Sequence, residues 1–147
     1  EVVMDHHRHP RGRAALERVD AQAEGFNPVC GDEARVALAL RGETLAGVQV
    51  EGRGCAICTA SGSIMAELLP GRSIADGERT GEAFRTMLHG SPAPADLDLG
   101  DLEALEGVQR FPVRVKCALL PWVTLLEAIA AHRANTAPRS ATTEEES

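Results

Sequence analysis

Three of the four cysteines and one aspartate stand where they could bind a metal together. Cys30 and Asp32 follow the period of two of an extended strand, so both side chains leave the same side of the backbone. Gly31 between them adds no side chain that would crowd a ligand. Cys55 precedes a predicted helix, where backbone N–H groups and the helix dipole favour a thiolate, and Cys117 precedes the last predicted helix. These residues could converge into a tetrahedral site of the kind that zinc prefers, although they form no paired C-x-x-C knuckles.

Cys55 and Cys58 offer a rival chemistry, because a C-x-x-C motif between a strand and a helix is typical of thioredoxin-like redox proteins. Against that interpretation, the parallel βαβ pattern is absent, and the strands before Cys55 are predicted to be antiparallel. The simplest interpretation of Cys58 is a small buried residue on the first turn of its helix.

Basic side chains near Cys117 could offset the charge of a metal site. Lys116 is the only lysine among 15 basic residues, and Arg114 would share a helical face with Cys117. Three thiolates and one carboxylate on Zn²⁺ leave a charge of about −2 that such cations could balance. Either residue could equally be a solvated surface charge. The three histidines of the motif DHHRHP could also bind metal, but we expect a solvated helix face there.

The elements that position these residues are predicted from the apolar pattern. Three alternating stretches predict a three-stranded antiparallel meander, at residues 18–24, 34–41 and 45–51. Helical patterns are predicted at 1–16 with an interruption at His9-Pro10, at 55–69, 80–89 and 101–106, and at 121–133 with Pro121 in the first turn. This segregated order predicts an α+β fold with helices packed on one face of the sheet. Residues 1–134 are expected to form a single domain and residues 135–147 a disordered tail.

The bulk composition argues against two classes of function. A net charge of −7 argues against a general binder of nucleic acids or anionic membranes. With only three Phe, one Trp and no Tyr, the chain offers no apparent aromatic base-stacking platform. No stretch resembles a transmembrane span or a secretory signal, so we expect a soluble cytoplasmic protein. In that compartment, four cysteines favour metal binding or thiol chemistry over disulfides.

Five segments resemble, in order, the SufU branch of the IscU/NifU N-terminal family: MDHHRHPRG, NPVCGD, GRGCAICTASGSIM, LEALEGVQRFPVRVKCALLPW and the final helix. IscU-type scaffolds have a histidine directly before the last cysteine, where this chain has Lys116. SufU-type proteins carry an insertion between the second and third ligand cysteines, and residues 91–100 look like part of it. Cys58 departs from the family pattern, which leaves open a fifth ligand or an oxidised Cys55–Cys58 pair.

The resemblance implies a zinc-dependent sulfurtransferase of iron–sulfur cluster assembly. The family's metal ligands fall on Cys30, Asp32, Cys55 and Cys117. Cys30 is expected to be the catalytic thiol, because its glycine-flanked loop can move. It would take persulfide sulfur from a SufS-type cysteine desulfurase and relay it to Suf scaffold components. The alternative is a scaffold that assembles an Fe–S cluster on the same cysteines, and a third possibility is a structural zinc domain that only binds a partner.

Overall fold

The chain folds into a four-stranded sheet with helices packed against it. The computed structural model describes residues 1–134 and 139–143. In chain order the elements are α1 (Val2–Arg8), β1 (Ala21–Asn27), β2 (Asp32–Arg41), β3 (Thr44–Arg53), α2 (Ala56–Leu68), α3 (Ile74–Leu88), a 3₁₀ helix (Gly100–Arg110), α4 (Pro112–Ala134) and β4 (Arg139–Thr142). The predicted α+β class is confirmed. Within the described ranges, none of the helices combines the length and the apolar character that a membrane crossing requires.

The sheet has the order β3-β2-β1-β4, so the prediction of three strands is wrong. The three predicted strands pair antiparallel, with Asn27 opposite Asp32 at the start of the β1–β2 hairpin register. The fourth strand, β4, pairs parallel to β1 and forms one edge. It lies in the stretch expected to be disordered, where a polar sequence without periodicity gave no signal for a strand. Residues 135–138 and 144–147 lie outside the described residues, so disorder there stays a prediction.

The small inward-facing residues of β1 allow α4 to pack close to the sheet. Ala21, Ala23, Gly25 and Asn27 face the buried side, and the residues between them are exposed. A Cβ atom at Gly25 would collide with Thr124 Oγ1 of α4 and would lie 3.0 Å from Leu120 Cδ1. Glycine therefore permits the close approach of α4 to β1, and α4 carries Cys117 toward the end of that strand.

Helix α4 begins nine residues earlier than predicted, at Pro112 rather than at Pro121. Proline is favourable in a first helical turn, because the N–H it lacks would have no partner there. Pro112 fills that role, and Pro121 lies in the helix interior. Cys117 is consequently inside the helix, on its second turn, and not before it. The Ser61 hydroxyl of α2 donates a hydrogen bond to the Ala118 carbonyl at 2.6 Å and ties the two helices together beside Cys117.

The interpretation of the N-terminal histidines as a solvated face is wrong for His6. His7 and His9 are exposed, but His6 is only 1% exposed. Its Nδ1 lies 2.6 Å from the Ser63 hydroxyl and its Nε2 lies 3.0 Å from a carboxylate oxygen of Asp101. A buried polar side chain is tolerated when both of its polar atoms have partners, and here two distant elements supply them.

Candidate metal centre

The turn between β1 and β2 presents Cys30 to solvent and places Asp32 inside. Gly31 adopts φ 73°, in the left-handed region that favours glycine, and its N–H donates a hydrogen bond to the Asn27 carbonyl at 2.8 Å. Cys30 is exposed at this turn. Asp32 is the first residue of β2 and is only 2% exposed. One short turn thus supplies an accessible thiol and a buried carboxylate.

Cys117 of α4 meets these two residues. One ligand atom from each of Cys30, Asp32 and Cys117 lies within 4.8 Å of the others. The sulfur atoms of Cys30 and Cys117 are 3.6 Å apart, and Cys117 is only 1% exposed. Two thiols and a carboxylate from two segments, the β1–β2 turn and α4, form a donor set of the type that zinc binds. The structure therefore brings together three of the four residues predicted as ligands.

Cys55 is connected to the cluster by hydrogen bonds with Asp32 and Cys117. As predicted, it stands at the N-terminus of α2, where it is the N-cap residue, and its N–H donates a hydrogen bond to Asp32 Oδ1 at 3.0 Å. The pKa of the Cys55 thiol is lowered to about 6, chiefly by a hydrogen bond from Cys117 and in part by the N–H groups of Cys58 and Ile57. Burial and the negative charge of Asp32 oppose this shift.

The same contact acts in the opposite direction on Cys117. Its hydrogen bond to Cys55 raises the pKa of the Cys117 thiol, and so do burial and the hydrogen bonds to Asp32 and Cys30. Cys117 therefore retains its proton while Cys55 loses one readily. Because thiols bind metals as thiolates, a metal entering here would displace the Cys117 proton.

Asn27 supports two of the candidate ligands, and the sequence analysis did not identify it. Its side chain is fully buried, and its Nδ2 donates to Asp32 Oδ2 at 3.1 Å and contacts Cys117 Sγ at 3.6 Å. Its Oδ1 accepts a hydrogen bond from the Val29 N–H at 3.2 Å. Partners of this kind orient metal ligands. The signal that could have identified Asn27 is the inward period of Ala23 and Gly25, which it continues.

Cys58 forms part of the wall beside the cluster. The prediction that it is a small buried residue on the first turn of α2 is confirmed, since it is 5% exposed. Burial raises the pKa of its thiol, and the negative charges of Asp32 and Cys55 raise it further. A Cβ atom at Gly54 would lie 2.9 Å from Asp32 Oδ1 and 3.1 Å from Cys58 Sγ. Only a residue without a side chain fits between the carboxylate and this thiol.

The two cations proposed to offset the site's charge lie on α4 near Cys117. Arg114 is exposed, and its guanidinium carbon lies 5.6 Å from the centre of the Phe111 ring. Lys116 is half-buried, and it forms no ion pair with any described residue. A role for either residue in balancing charge stays a prediction.

A second group of possible metal ligands lies between α1, α2 and the 3₁₀ helix. Ligand atoms of His6, Glu67 and Asp101 are within 4.8 Å of one another. Arg11 already supplies a positive charge there, with Nε 3.2 Å from Glu67 and NH1 3.3 Å from His6 Nδ1. A guanidinium so close would repel a metal ion. We therefore interpret this group as a network that fixes α1 to the rest of the domain.

Comparison with known proteins identifies relatives of this chain. A family model described as the NifU-like N-terminal domain matches residues 1–118. The chain is 37% identical over 130 residues to the zinc-dependent sulfurtransferase SufU of Bacillus subtilis (strain 168), a match that covers 88% of each chain. It is 36% identical over 128 residues to the iron–sulfur cluster assembly scaffold protein IscU of Streptococcus pyogenes serotype M1, covering 87% of this chain and 80% of the relative.

Two solved structures share this fold. The crystal structure of FiSufU from the thermophile Fervidobacterium islandicum AW-1 superposes with a TM-score of 0.82 at 32% identity, covering 88% of this chain and 94% of that one. The N-terminal NifU-like protein of Brucella abortus superposes with a TM-score of 0.84, covering 92% and 94% of the two chains. At 23% identity this second likeness concerns the fold alone.

Proposed function

Because this chain belongs to the NifU-like N-terminal domain family, in its SufU branch, we propose that it is a zinc-dependent sulfur acceptor for iron–sulfur cluster assembly. The observation that carries the proposal is the convergence of Cys30, Asp32 and Cys117 within 4.8 Å, with one of the two thiols exposed. A purely structural metal site does not require a ligand that a partner protein can reach. An acceptor of sulfur needs one.

Four residues would hold the zinc ion: Cys30, Asp32, Cys55 and Cys117. The donor set fits, because its three sulfur atoms and one carboxylate match the ligands and the coordination number of zinc. Zinc would keep the thiols deprotonated near neutral pH and has no redox chemistry with which to oxidise bound sulfur. The protein contributes orientation, since Asn27 Nδ2 and the Cys55 N–H each donate to one oxygen of the Asp32 carboxylate.

Cys30 is the residue that accepts sulfur in this proposal. Its thiolate attacks the outer sulfur of a persulfide on the active-site cysteine of a SufS-type desulfurase. A sulfur–sulfur bond forms on Cys30, the bond inside the donor persulfide breaks, and the desulfurase cysteine leaves as a thiolate. The exchange needs no oxidant or reductant. Cys30 is suited to this exchange, because it is exposed and its neighbour Gly31 stands in open space. A Cβ atom added to Gly31 would meet nothing within 4 Å.

Mass spectrometry tests this assignment directly. After incubation with the desulfurase and cysteine, the added sulfur is expected on Cys30, and Cys30→Ala is expected to abolish acceptance. Cys58→Ser is the matched control, because it changes a neighbouring thiol that is buried. Sulfur found on Cys55, Cys58 or Cys117 of the wild type would contradict the assignment.

The second candidate function is a scaffold that assembles an iron–sulfur cluster on the same cysteines. It is favoured by four relatives named as iron–sulfur cluster assembly scaffold proteins, two of them at 36% and 30% identity, and by FiSufU, which is described as a scaffold protein for the SUF system. The two functions are separated by metal analysis of protein purified without air. Zinc alone would support sulfur transfer, whereas iron with acid-labile sulfide would support the scaffold. Zinc with no sulfur accepted from the desulfurase would support a structural domain instead.

A further inference from the structure

The C-terminal strand extends to the candidate metal centre. In the parallel register Gly25 pairs with Ala141 and Phe26 with Thr142, so Thr143 comes next to Asn27. The Thr143 N–H donates a hydrogen bond to the Phe26 carbonyl at 3.4 Å. Side chains alternate along a strand, and therefore Ala141 and Thr143 share the inner face with Gly25 and Asn27. Thr143 is fully buried, which agrees with this placement.

This inner face covers the surroundings of Cys117. Ala141 packs against an apolar cluster formed by Ala34, Cys58, Cys117, Leu120 and Val123. Thr143 lies beside Asn27, whose amide contacts Cys117 Sγ at 3.6 Å. Cys117 and Cys30 have sulfur atoms only 3.6 Å apart, yet Cys117 is buried and Cys30 is exposed. Their positions are too similar to explain why one thiol and not the other would accept sulfur. The difference between Cys30 and Cys117 is their exposure to solvent.

We propose that β4, through Ala141 and Thr143, excludes Cys117 from accepting sulfur by keeping this thiol covered. The selectivity rests on the proposed function, whereas the covering of Cys117 is independent of it. The family model matches residues 1–118, so the match by itself does not extend to β4.

Strand β4 is short, so single substitutions should change how tightly it packs over Cys117. It has four residues and no large apolar side chain. The Thr143 hydroxyl is buried without a hydrogen-bond partner among the described residues. An unpaired buried hydroxyl opposes docking of the strand, and an apolar group of the same shape removes that penalty. Thr143→Val should therefore hold the strand more tightly.

Alkylation of the metal-free protein measures the cover without any sulfur chemistry. The extent of modification of Cys117 is followed by mass spectrometry, with the exposed Cys30 as the internal reference. Ala141→Glu places a charge against the apolar cluster and should speed alkylation of Cys117 about tenfold or more, because a buried unpaired charge favours the open strand. Ser140→Glu is the control, since Ser140 is exposed on the opposite face of the same strand.

The direction of the effects makes the test decisive even if Ala141→Glu folds poorly. Ala141→Gly removes only a methyl group and should speed alkylation of Cys117 mildly, whereas Thr143→Val should slow it. Equal rates of Cys117 alkylation in Ala141→Glu, Ala141→Gly and Ser140→Glu would overturn the proposal that β4 covers Cys117. In the desulfurase assay, Ala141→Glu should carry sulfur on Cys117 as well as on Cys30. Sulfur on Cys30 alone in that variant would overturn the selectivity, and a wild type that accepts no sulfur would overturn the proposed function together with the selectivity.

Discussion

Replacement of Asn27 by alanine tests whether the centre depends on a residue that binds no metal itself. The amide is fully buried and contacts Asp32 Oδ2 and Cys117 Sγ through one nitrogen. Its oxygen accepts the Val29 N–H. Asn27→Ala removes all three contacts and leaves the backbone of β1 unchanged.

The expected loss follows from the kind of bond removed. A hydrogen bond to a charged group contributes about 1.5–3 kcal/mol, and the Asp32 oxygen that loses its donor is buried. The Val29 N–H lies in a partly exposed setting, where water can replace the lost acceptor at little cost. We therefore expect the free energy of unfolding of the metal-free protein to fall by about 2 kcal/mol. Loss of a partner that orients metal ligands typically lowers metal affinity by about 10–100-fold.

Two measurements check these values. Urea unfolding of the metal-free protein gives the change in stability, and competition with a chromogenic chelator gives the change in zinc affinity. Gln22→Ala is the control, because Gln22 lies on the same strand with its side chain exposed. The reasoning is refuted if Asn27→Ala binds zinc within about twofold of the wild type, since Asp32 and Cys117 would then need no support.

Three further predictions concern packing and thiols. His6→Ala should lower the free energy of unfolding by about 1–3 kcal/mol, because it removes the hydrogen bonds of a buried imidazole to Ser63 and Asp101, and His7→Ala at an exposed position should change it little; urea unfolding measures both. Gly25→Ala should cost about 1–3 kcal/mol through the collision with Thr124, and Thr124→Ala in the same chain should recover part of that loss in a double-mutant cycle. Cys58→Ser should retain zinc by metal analysis and most stimulation of the desulfurase, because the four proposed ligands would already complete a tetrahedral site; loss of both would make Cys58 a ligand.

The sequence predicted what short-range periodicity encodes. Strands β2 and β3 alternate clearly and were located, and Cys55 was correctly placed at the N-terminus of α2. The start of β1 was set three residues too early, because Arg18 to Asp20 continue the alternation without joining the strand. The start of α4 was set too late, because Pro121 has the appearance of a first-turn proline while Pro112 performs that role.

The remaining features depend on contacts between distant parts of the chain. The burial of His6 requires Ser63 and Asp101, and neither can be identified from the motif DHHRHP. Strand β4 forms because β1 offers an unpaired edge, and its own four residues carry no pattern of a strand. The support given by Asn27 becomes visible only once the hairpin register sets it opposite Asp32.

The proline inside α4 has a mechanical consequence for the centre. Pro121 follows Cys117 by four residues and has no N–H, so the Cys117 carbonyl lacks its usual helical partner. The segment that carries this thiol is therefore joined to the rest of the helix by one hydrogen bond fewer. Beyond the proline, Trp122 is anchored in the core, with its ring centre 5.9 Å from that of Phe84. One hydrogen bond fewer at this point should let the backbone at Cys117 adjust to a bound ligand more easily than an unbroken helix would, while the core contacts of Trp122 stay in place.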